Sequence, residues 1–499
     1  MKWFRRGQKE KKPKPGKADG NGALTFDLLY QLSYMSVIAA AGVPRNQIFE
    51  RSSQLPTSCS QYFKRVEVMH KGLGYDYATA CQAVGESVKE EQVKGLLLRF
   101  SSSLVSGEPE AEFLAREAES LSRSFESEYE RKLESLKLWT DAYVSLVLSA
   151  VLVILLGIVS TMIWKIQTLF IVGLVVISIA STALGVWLIY LMSPRESIVL
   201  SWPGSREQKL IRKLARILLP LALVLGALLW MSSANIGLAL LVIAALVFPI
   251  GFISVLDDKK VARRDAEIST FLRSLGGVCA AIGTTVREAL GRMDLNSLNH
   301  LRQQVKRLHT RLLSGVRAKL CWQKFVEETG SELVHRSVGM FYDAISVGGE
   351  PEQAGYHASL FASKLGLLRA KRKTVSFPFQ WLCVVMHAAT TVLLIFVTEV
   401  ISIFAGMVAK AEQEMPKMGG GPSVGAFTSF NFSGLDLLQR LVLPLVLIFT
   451  VANALAPIIA DGGSRWKILY NLSLTSSISG VSLVLLPKLA AMLFRSIQI

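Results

Sequence analysis

Residue types able to carry covalent or metal chemistry are few in this chain and form no working constellation. The six histidines, His70, His300, His309, His335, His357 and His387, make no pair at metal-ligand spacing. Cys59, Cys81, Cys279, Cys321 and Cys383 contain no C-x-x-C and no regular interval, which argues against a zinc site or a disulfide framework and suits a reducing cytoplasm. There is no G-x-x-x-x-G-K-[ST], since Gly16-Lys17-Ala18 lacks both the spacing and the hydroxyl, and neither H-E-x-x-H nor G-x-S-x-G occurs. The expectation is a protein that is not an enzyme, with no catalytic residue, metal or cofactor. Energy-driven work would need a motor supplied by another protein.

The polar groups that remain suggest contacts rather than catalysis. His387 and Glu399 fall inside one apolar run and Asn453 inside another, where a polar side chain either ties helices together or marks a proton or substrate path. A spacing of twelve leaves His387 and Glu399 off a common helical face, so they form no dedicated pair. Between residues 301 and 312, Leu301, Val305, Leu308 and Leu312 make an apolar stripe, with Arg302, Lys306, Arg307, His309 and Arg311 around it. That pattern reads either as a solvated face or as a docking surface for an acidic partner. Nucleic acid is not expected, because no aromatic residues are interleaved. Two Gly-Glu-Pro-Glu turns place Glu108 and Glu110, then Glu350 and Glu352, where a contact with a partner or plain helix punctuation would put them.

The elements holding these residues follow from hydropathy. Of 499 residues, 51% are hydrophobic and 19% charged, and the mean hydropathy is +0.40, the profile of an integral membrane protein. Seven runs reach a spanning length: Tyr143–Trp164, Thr168–Met192, Ile217–Ser233, Ile236–Leu256, Phe379–Met407, Leu441–Ala460 and Leu469–Leu486. Lysine and arginine crowd one set of connections (Arg206, Lys209, Arg212, Lys213 and Arg216; Arg465 and Lys467) and both polar regions, which puts these and the N-terminus in the cytoplasm. Lys488 and Arg495 run against that scheme. The formal charge of +17 bears on topology and partners more than on fold.

The domain reading is a basic tail over 1–22, a helical module over 23–140 and a four-helix membrane block over 141–256. A second module over 257–376 and a three-helix membrane block over 377–499, with an external loop at 408–436, complete it. The tail is a candidate for an anionic lipid surface. With residues 23–43 it imitates a signal peptide, but Asp27, Gln31 and Ser33 interrupt the apolar core at helical spacing.

The two modules read as one duplicated unit. Leu29–Gly42 and Phe271–Gly283 share an apolar stripe and an Ala-Ala-x-Gly ending, and Gly42 and Gly283 are 241 residues apart. Pro109 and Pro351, in the Gly-Glu-Pro-Glu turns, are 242 apart. Two landmarks at nearly one offset indicate internal repetition. The expected fold is all-α, a polytopic membrane protein with two homologous cytoplasmic helical bundles and about seven transmembrane helices.

This pattern resembles the F-type membrane platform proteins of type II secretion and type IV pilus systems. It is most similar to the branch serving archaeal flagella, archaeal pili and Tad-type pili. The resemblance rests on the duplicated module, on Ala-Gly-Val-Pro-x-x-x-x-Phe at 41–49, on Leu-x-Ser-Gly-Glu-Pro-Glu at 104–110 and on Tyr129-Glu-Arg-Lys132 before the first span. It departs in module two, where Gly283-Thr-Thr replaces Gly42-Val-Pro and Lys371-Arg-Lys373 stands in place of Tyr-Glu-Arg-Lys. The resemblance implies a homodimeric platform that a hexameric cytoplasmic secretion ATPase engages, moving prepilin- or archaellin-like subunits into a filament. A secondary transporter and a membrane-anchored signalling scaffold are the rival readings; bulky soluble repeats and few intramembrane charges weigh against the transporter.

Overall fold

The computed structural model describes residues 20–163, 168–194, 196, 198–200, 204–233, 235–414 and 435–497. Most of the expected basic tail and of the expected external loop lie outside the described residues. The first module opens with α1 (Gly20–Ala40), which begins inside the segment assigned to the tail. Four shorter helices follow: α2 (Arg45–Ser53), α3 (Ser60–Leu73), α4 (Tyr77–Ser87) and α5 (Glu91–Ser106). Then α6 (Glu110–Ile163) continues without a break into the first span. The next three are α7 (Thr168–Met192), α8 (Arg206–Ser233) and α9 (Ile236–Ile282), the last joining a span to the second module. That module holds α10 (Val286–Arg292), α11 (Arg302–Leu313), α12 (Ala318–Thr329) and α13 (Glu332–Ser346). The chain continues through α14 (Pro351–Glu414), α15 (Leu435–Asp461) and α16 (Ile468–Ile497). Among the described residues the extended structure is one isolated bridge, Val199 with Ser331.

Helix starts repeat with the duplication. Arg45 and Val286, Ser60 and Arg302, Tyr77 and Ala318, Glu91 and Glu332, and Glu110 and Pro351 open matching helices 241 or 242 residues apart. The punctuation matches too. Gly42 and Gly283 (φ +77° and +63°), and Gly107 and Gly348 (φ +75° and +90°), end helices in the left-handed region, which glycine enters without a Cβ penalty. Replacing Val-Pro by Thr-Thr after Gly283 therefore leaves the turn intact. Thr285 occupies the extended N-cap position of α10 as Pro44 does for α2.

The two modules share one hydrophobic core. In the first, Phe49 stacks on Tyr77 and Phe100, at 4.4 and 5.4 Å between centroids, and Phe100 on Phe113 at 5.0 Å. In the second, Phe271, Trp322, Phe325 and Phe341 gather in tilted and edge-on pairs instead. Burying each such ring contributes on the order of 2 kcal/mol. The segment resembling a signal peptide is a core helix: Leu28, Leu32, Met35 and Ile38 are buried, while Gln31 donates to the Ser52 carbonyl at 2.9 Å and Asp27 accepts from Ser58. Module docks on module through α1. Tyr34 donates to Asp343 at 2.9 Å, the Arg336 guanidinium lies over Phe26 and Tyr30 at 4.7 and 4.6 Å, and the Glu350 amide donates to the Ala41 carbonyl at 2.9 Å.

The divisions at 140/141, 256/257 and 376/377 fall within α6, α9 and α14, so no linker separates bundle from membrane at these points. At 54 and 64 residues, α6 and α14 are about 80 and 95 Å long. They run side by side in the same direction, joined by Glu119–Lys364 at 2.5 Å, by Glu130–Lys371 and by Tyr143 against Phe379. Among the described residues, seven helices are long and apolar enough to cross a membrane. Leu152, Leu156, Ile177, Leu223 and Met231 stand exposed on them, where lipid is the compatible solvent. The protein is an all-α polytopic membrane protein.

Helix α9 also packs closely on α14. Gly276 and Gly355 meet where α9 crosses α14: a Cβ on Gly276 would lie 2.5 Å from the Pro351 carbonyl, and one on Gly355 would lie 2.7 Å from that of Leu272.

Candidate functional site

Of the three expected intramembrane residues, His387 and Asn453 join one hydrogen-bonded set. Tyr143 on α6 donates to Asn453 Oδ1 at 2.6 Å, and Asn453 Nδ2 on α15 donates to His387 Nδ1 on α14 at 3.1 Å. With Nδ1 accepting, His387 carries its proton on Nε2, which faces the Thr475 carbonyl at 3.1 Å and Ser479 Oγ at 2.9 Å on α16. Ser479 also contacts Thr450 at 2.7 Å, and Thr475 donates to the Thr450 carbonyl. His387, Asn453, Thr450 and Ser479 are all buried. This neutral chain ties four spans together, and such bonds contribute about 0.6 kcal/mol each on average in a membrane. Glu399, half-buried further along α14, takes no part in it.

A second cluster lies where the membrane helices meet the modules, and sequence reasoning did not place it among the sites. On α14, Leu365, Leu368, Arg369, Arg372, Ser376 and Phe379 share the buried face. Arg369 pairs with Asp265 at 2.9 Å and Glu196 at 3.5 Å; Tyr129 donates to Glu196, and Ser331 bonds Asp265. Burial pushes the Asp265 carboxyl upward, and Arg369 opposes that. One turn on, Arg372 is only 1% exposed. Its Nε donates to the Ala460 carbonyl at 2.8 Å, Nη1 to Pro194 at 2.8 Å, and Nη2 to Ser193 Oγ at 2.6 Å and Ile459 at 3.1 Å. These oxygens lie at the C-terminal ends of α7 and α15, where a cation meets both orphan carbonyls and the negative pole of the helix. Lys467 and Asp461 pair at 2.6 Å, and Ser376 donates to Asp461 at 3.0 Å. The connection between α7 and α8 is pinned to module two by Leu200 N to Gly330 O at 3.0 Å and Glu332 N to Ile198 O at 3.2 Å. One signal was legible: arginines continuing an apolar helical stripe are buried arginines.

The basic run is divided by its neighbour. Leu301, Val305, Leu308 and Leu312 are buried as the stripe requires. Arg311 pairs with Glu328 on α12, and Arg307 reaches the same carboxylate at 3.8 Å. Arg302 and Lys306 face outward, so the outward charge is about half of what the run suggests. The two acidic turns differ. Glu108 accepts from Ser103 at 2.9 Å and pairs with Arg116 at 2.6 Å, which together lower its pKa, and Glu110 pairs with Arg45. Glu350 and Glu352 are exposed. The eight residues lie on α11 and at the starts of α6 and α14, on separate elements. Among the described residues, no group of three or more histidine, cysteine or acidic side chains is placed to hold a metal ion.

Over 422 residues the chain is 23% identical to Flagella accessory protein J of Methanocaldococcus jannaschii, covering 81% of this chain and 73% of that protein. Over 330 residues it is 24% identical to Flagella accessory protein J of Methanococcus voltae, covering 63% of this chain and 58% of that protein. No family model matches the chain, and no solved structure does.

Proposed function

We propose that this chain is the membrane platform of an archaellum-type filament machine, related to the platforms of type IV pili and type II secretion. The observation that carries the proposal is the pair of continuous helices α6 and α14. Each begins at a Gly-Glu-Pro-Glu turn in a duplicated bundle, and the two run together into the membrane. Force applied to a bundle would reach the spans through a helix with no loop to absorb it. The similarity to two proteins named Flagella accessory protein J supports the same assignment.

In this reading both modules face the cytoplasm, a hexameric secretion ATPase engages them, and the platform, as a homodimer, passes prepilin- or archaellin-like subunits into the filament. Arg302 and Lys306 with Glu350 and Glu352 are the docking groups, because their side chains face outward. Arg307, Arg311, Glu108 and Glu110 already have intramolecular partners. The test is crosslinking in cells followed by purification of the full-length protein and mass spectrometry. A secretion ATPase crosslinked through residues 24–140 or 265–373, with Lys306 among the linked positions, is the expected result. Recovering neither ATPase nor filament subunit from cells that assemble filaments would overturn the proposal.

A further inference from the structure

Two neighbouring membrane helices change from apolar to basic along one exposed side. On α8, Ile217, Leu221, Val224 and Leu228 recur at helical spacing and stand exposed. Toward the start of α8 the same face carries Arg206, Lys209, Lys213 and Arg216, all exposed. On α9, Phe248, Phe252 and Leu256 are exposed, and Lys259 and Arg263 continue their face at intervals of three and four. The Lys260–Glu207 pair, at 2.7 Å, sets the two basic ends side by side.

The charge on this surface is not met within the protein. Every carboxylate on α8 and α9 is engaged elsewhere. Glu207 serves Lys260, Asp257 accepts from Ser205 and Gln208, Asp258 accepts from the Ser464 amide, and Asp265 pairs with Arg369. Glu267 accepts from the amides of His300 and Leu301. Among the described residues, no carboxylate pairs with Arg206, Lys209, Lys213, Arg216, Lys259 or Arg263.

Position selects the kind of anion. Arg216 adjoins the apolar run at Ile217, and Arg206 stands ten residues, about 15 Å, further up the axis. The headgroup layer is about 5–8 Å deep on each side of the hydrocarbon, and charge is felt about 8 Å beyond it at physiological salt. All four cations of α8 therefore lie within reach of lipid phosphates, and the long stems of Lys213 and Arg216 can follow the apolar face below them. A cluster of this kind beside a span suits anionic lipid. We propose that the basic face shared by α8 and α9 recruits anionic phospholipids, holding their phosphates against the turns where the two helices leave the membrane. The site is independent of the filament assignment.

The test reads lipid composition locally in the full-length protein. A thiol-reactive fluorophore is placed at Ile217→Cys, beneath the basic turns, or at Met231→Cys, 14 residues along the same helix. Both positions are exposed, whereas all five native cysteines are buried, so labelling goes to the introduced thiol. The protein is reconstituted in phosphatidylcholine bilayers containing a minor fraction of phosphatidylglycerol or phosphatidylcholine with brominated chains. At Ile217→Cys, phosphatidylglycerol should quench about fivefold more effectively than phosphatidylcholine, the gain from one basic residue at an anionic surface. At Met231→Cys the two lipids should quench equally. The advantage should fall below about twofold in Lys209→Gln/Lys213→Gln/Arg216→Gln, and also in 1 M salt, where the Debye length is about 3 Å. The salt arm needs no substitution in the basic face, so it keeps the test valid if the triple variant folds poorly. Equal quenching by the two lipids at Ile217→Cys overturns the proposal and leaves the basic face to a soluble acidic partner. An advantage that persists in the triple variant or in 1 M salt overturns it as well.

Discussion

Replacing Arg372 by methionine keeps most of the side-chain volume and removes four donors from a site that is 1% exposed. The acceptors are not equally affected. Ile459 keeps the Ser193 hydroxyl, which donates to it at 2.6 Å. The carbonyls of Pro194 and Ala460 lose the donors described above. A buried acceptor left without a donor costs about 1–3 kcal/mol. Removing a buried charge returns part of this, but carbonyls cannot be mutated away with it, so the usual near-neutral swap of an ion pair for apolar residues does not apply. The net loss should be about 3 kcal/mol, read by equilibrium unfolding of the full-length protein in mixed micelles. Arg372→Lys should lose roughly half as much, since one ammonium keeps the charge but cannot span two helix ends. Gly462→Ala should act through the same contact. Its φ is +70° and its Cβ would lie 2.3 Å from Arg372 Cζ, so its effect should be less than additive with Arg372→Met. An Arg372→Met protein within about 1 kcal/mol of wild type would refute the reasoning and mean that water satisfies the carbonyls.

Adjacent glycines on α9 should respond oppositely. Gly276→Ala forces a Cβ onto the Pro351 carbonyl and should cost about 1–3 kcal/mol, whereas Gly277→Ala meets nothing within 4 Å and should be neutral or gain up to about 1 kcal/mol; thermal unfolding of both variants decides it. A double-mutant cycle of His387→Leu and Asn453→Leu should give a coupling of about 0.6–1.7 kcal/mol, and strict additivity would mean the bond between them contributes nothing. Asp343 supplies a pH prediction, with Arg51, Lys319 and His335 as the cations facing it and Tyr34 as its donor. Burial raises its carboxyl above the ordinary 3.8. The folded state therefore holds the proton more tightly, and its contribution is fully present below 3.8 and lost as the pH rises through the raised value. The stability of wild type relative to Asp343→Asn should fall from about pH 4 upward, and a difference that grows with pH would contradict the assignment.

The features readable from sequence were those set by contiguous residues. A span needs about 20 apolar residues in a row, and the described residues of all seven runs lie on helices of the structure. Glycine at a helix end announces its left-handed cap, which is why Gly42, Gly107 and their repeats gave the turns. The interval between repeats could be counted directly, and the stripe Leu301, Val305, Leu308 and Leu312 named its own buried face.

Partnership was not readable, because a hydrogen bond or ion pair joins groups far apart in the chain. His387 finds Asn453 66 residues away and Ser479 92 away, on other spans. Glu328 takes up Arg307 and Arg311 from a neighbouring helix, so charge counted along α11 overstates what solvent meets. Residues 371–373 read as a basic triplet, yet α14 points Lys371 at Glu130 and sends Arg372 inward to two helix ends. Sequence by itself determined which segments are helical, which cross the membrane and that the module recurs, because local sterics and hydropathy decide those. Tertiary structure decided which polar groups are neutralised and which stay outward, because a buried charge or amide must find its partner on whichever helix packing brings within about 3 Å.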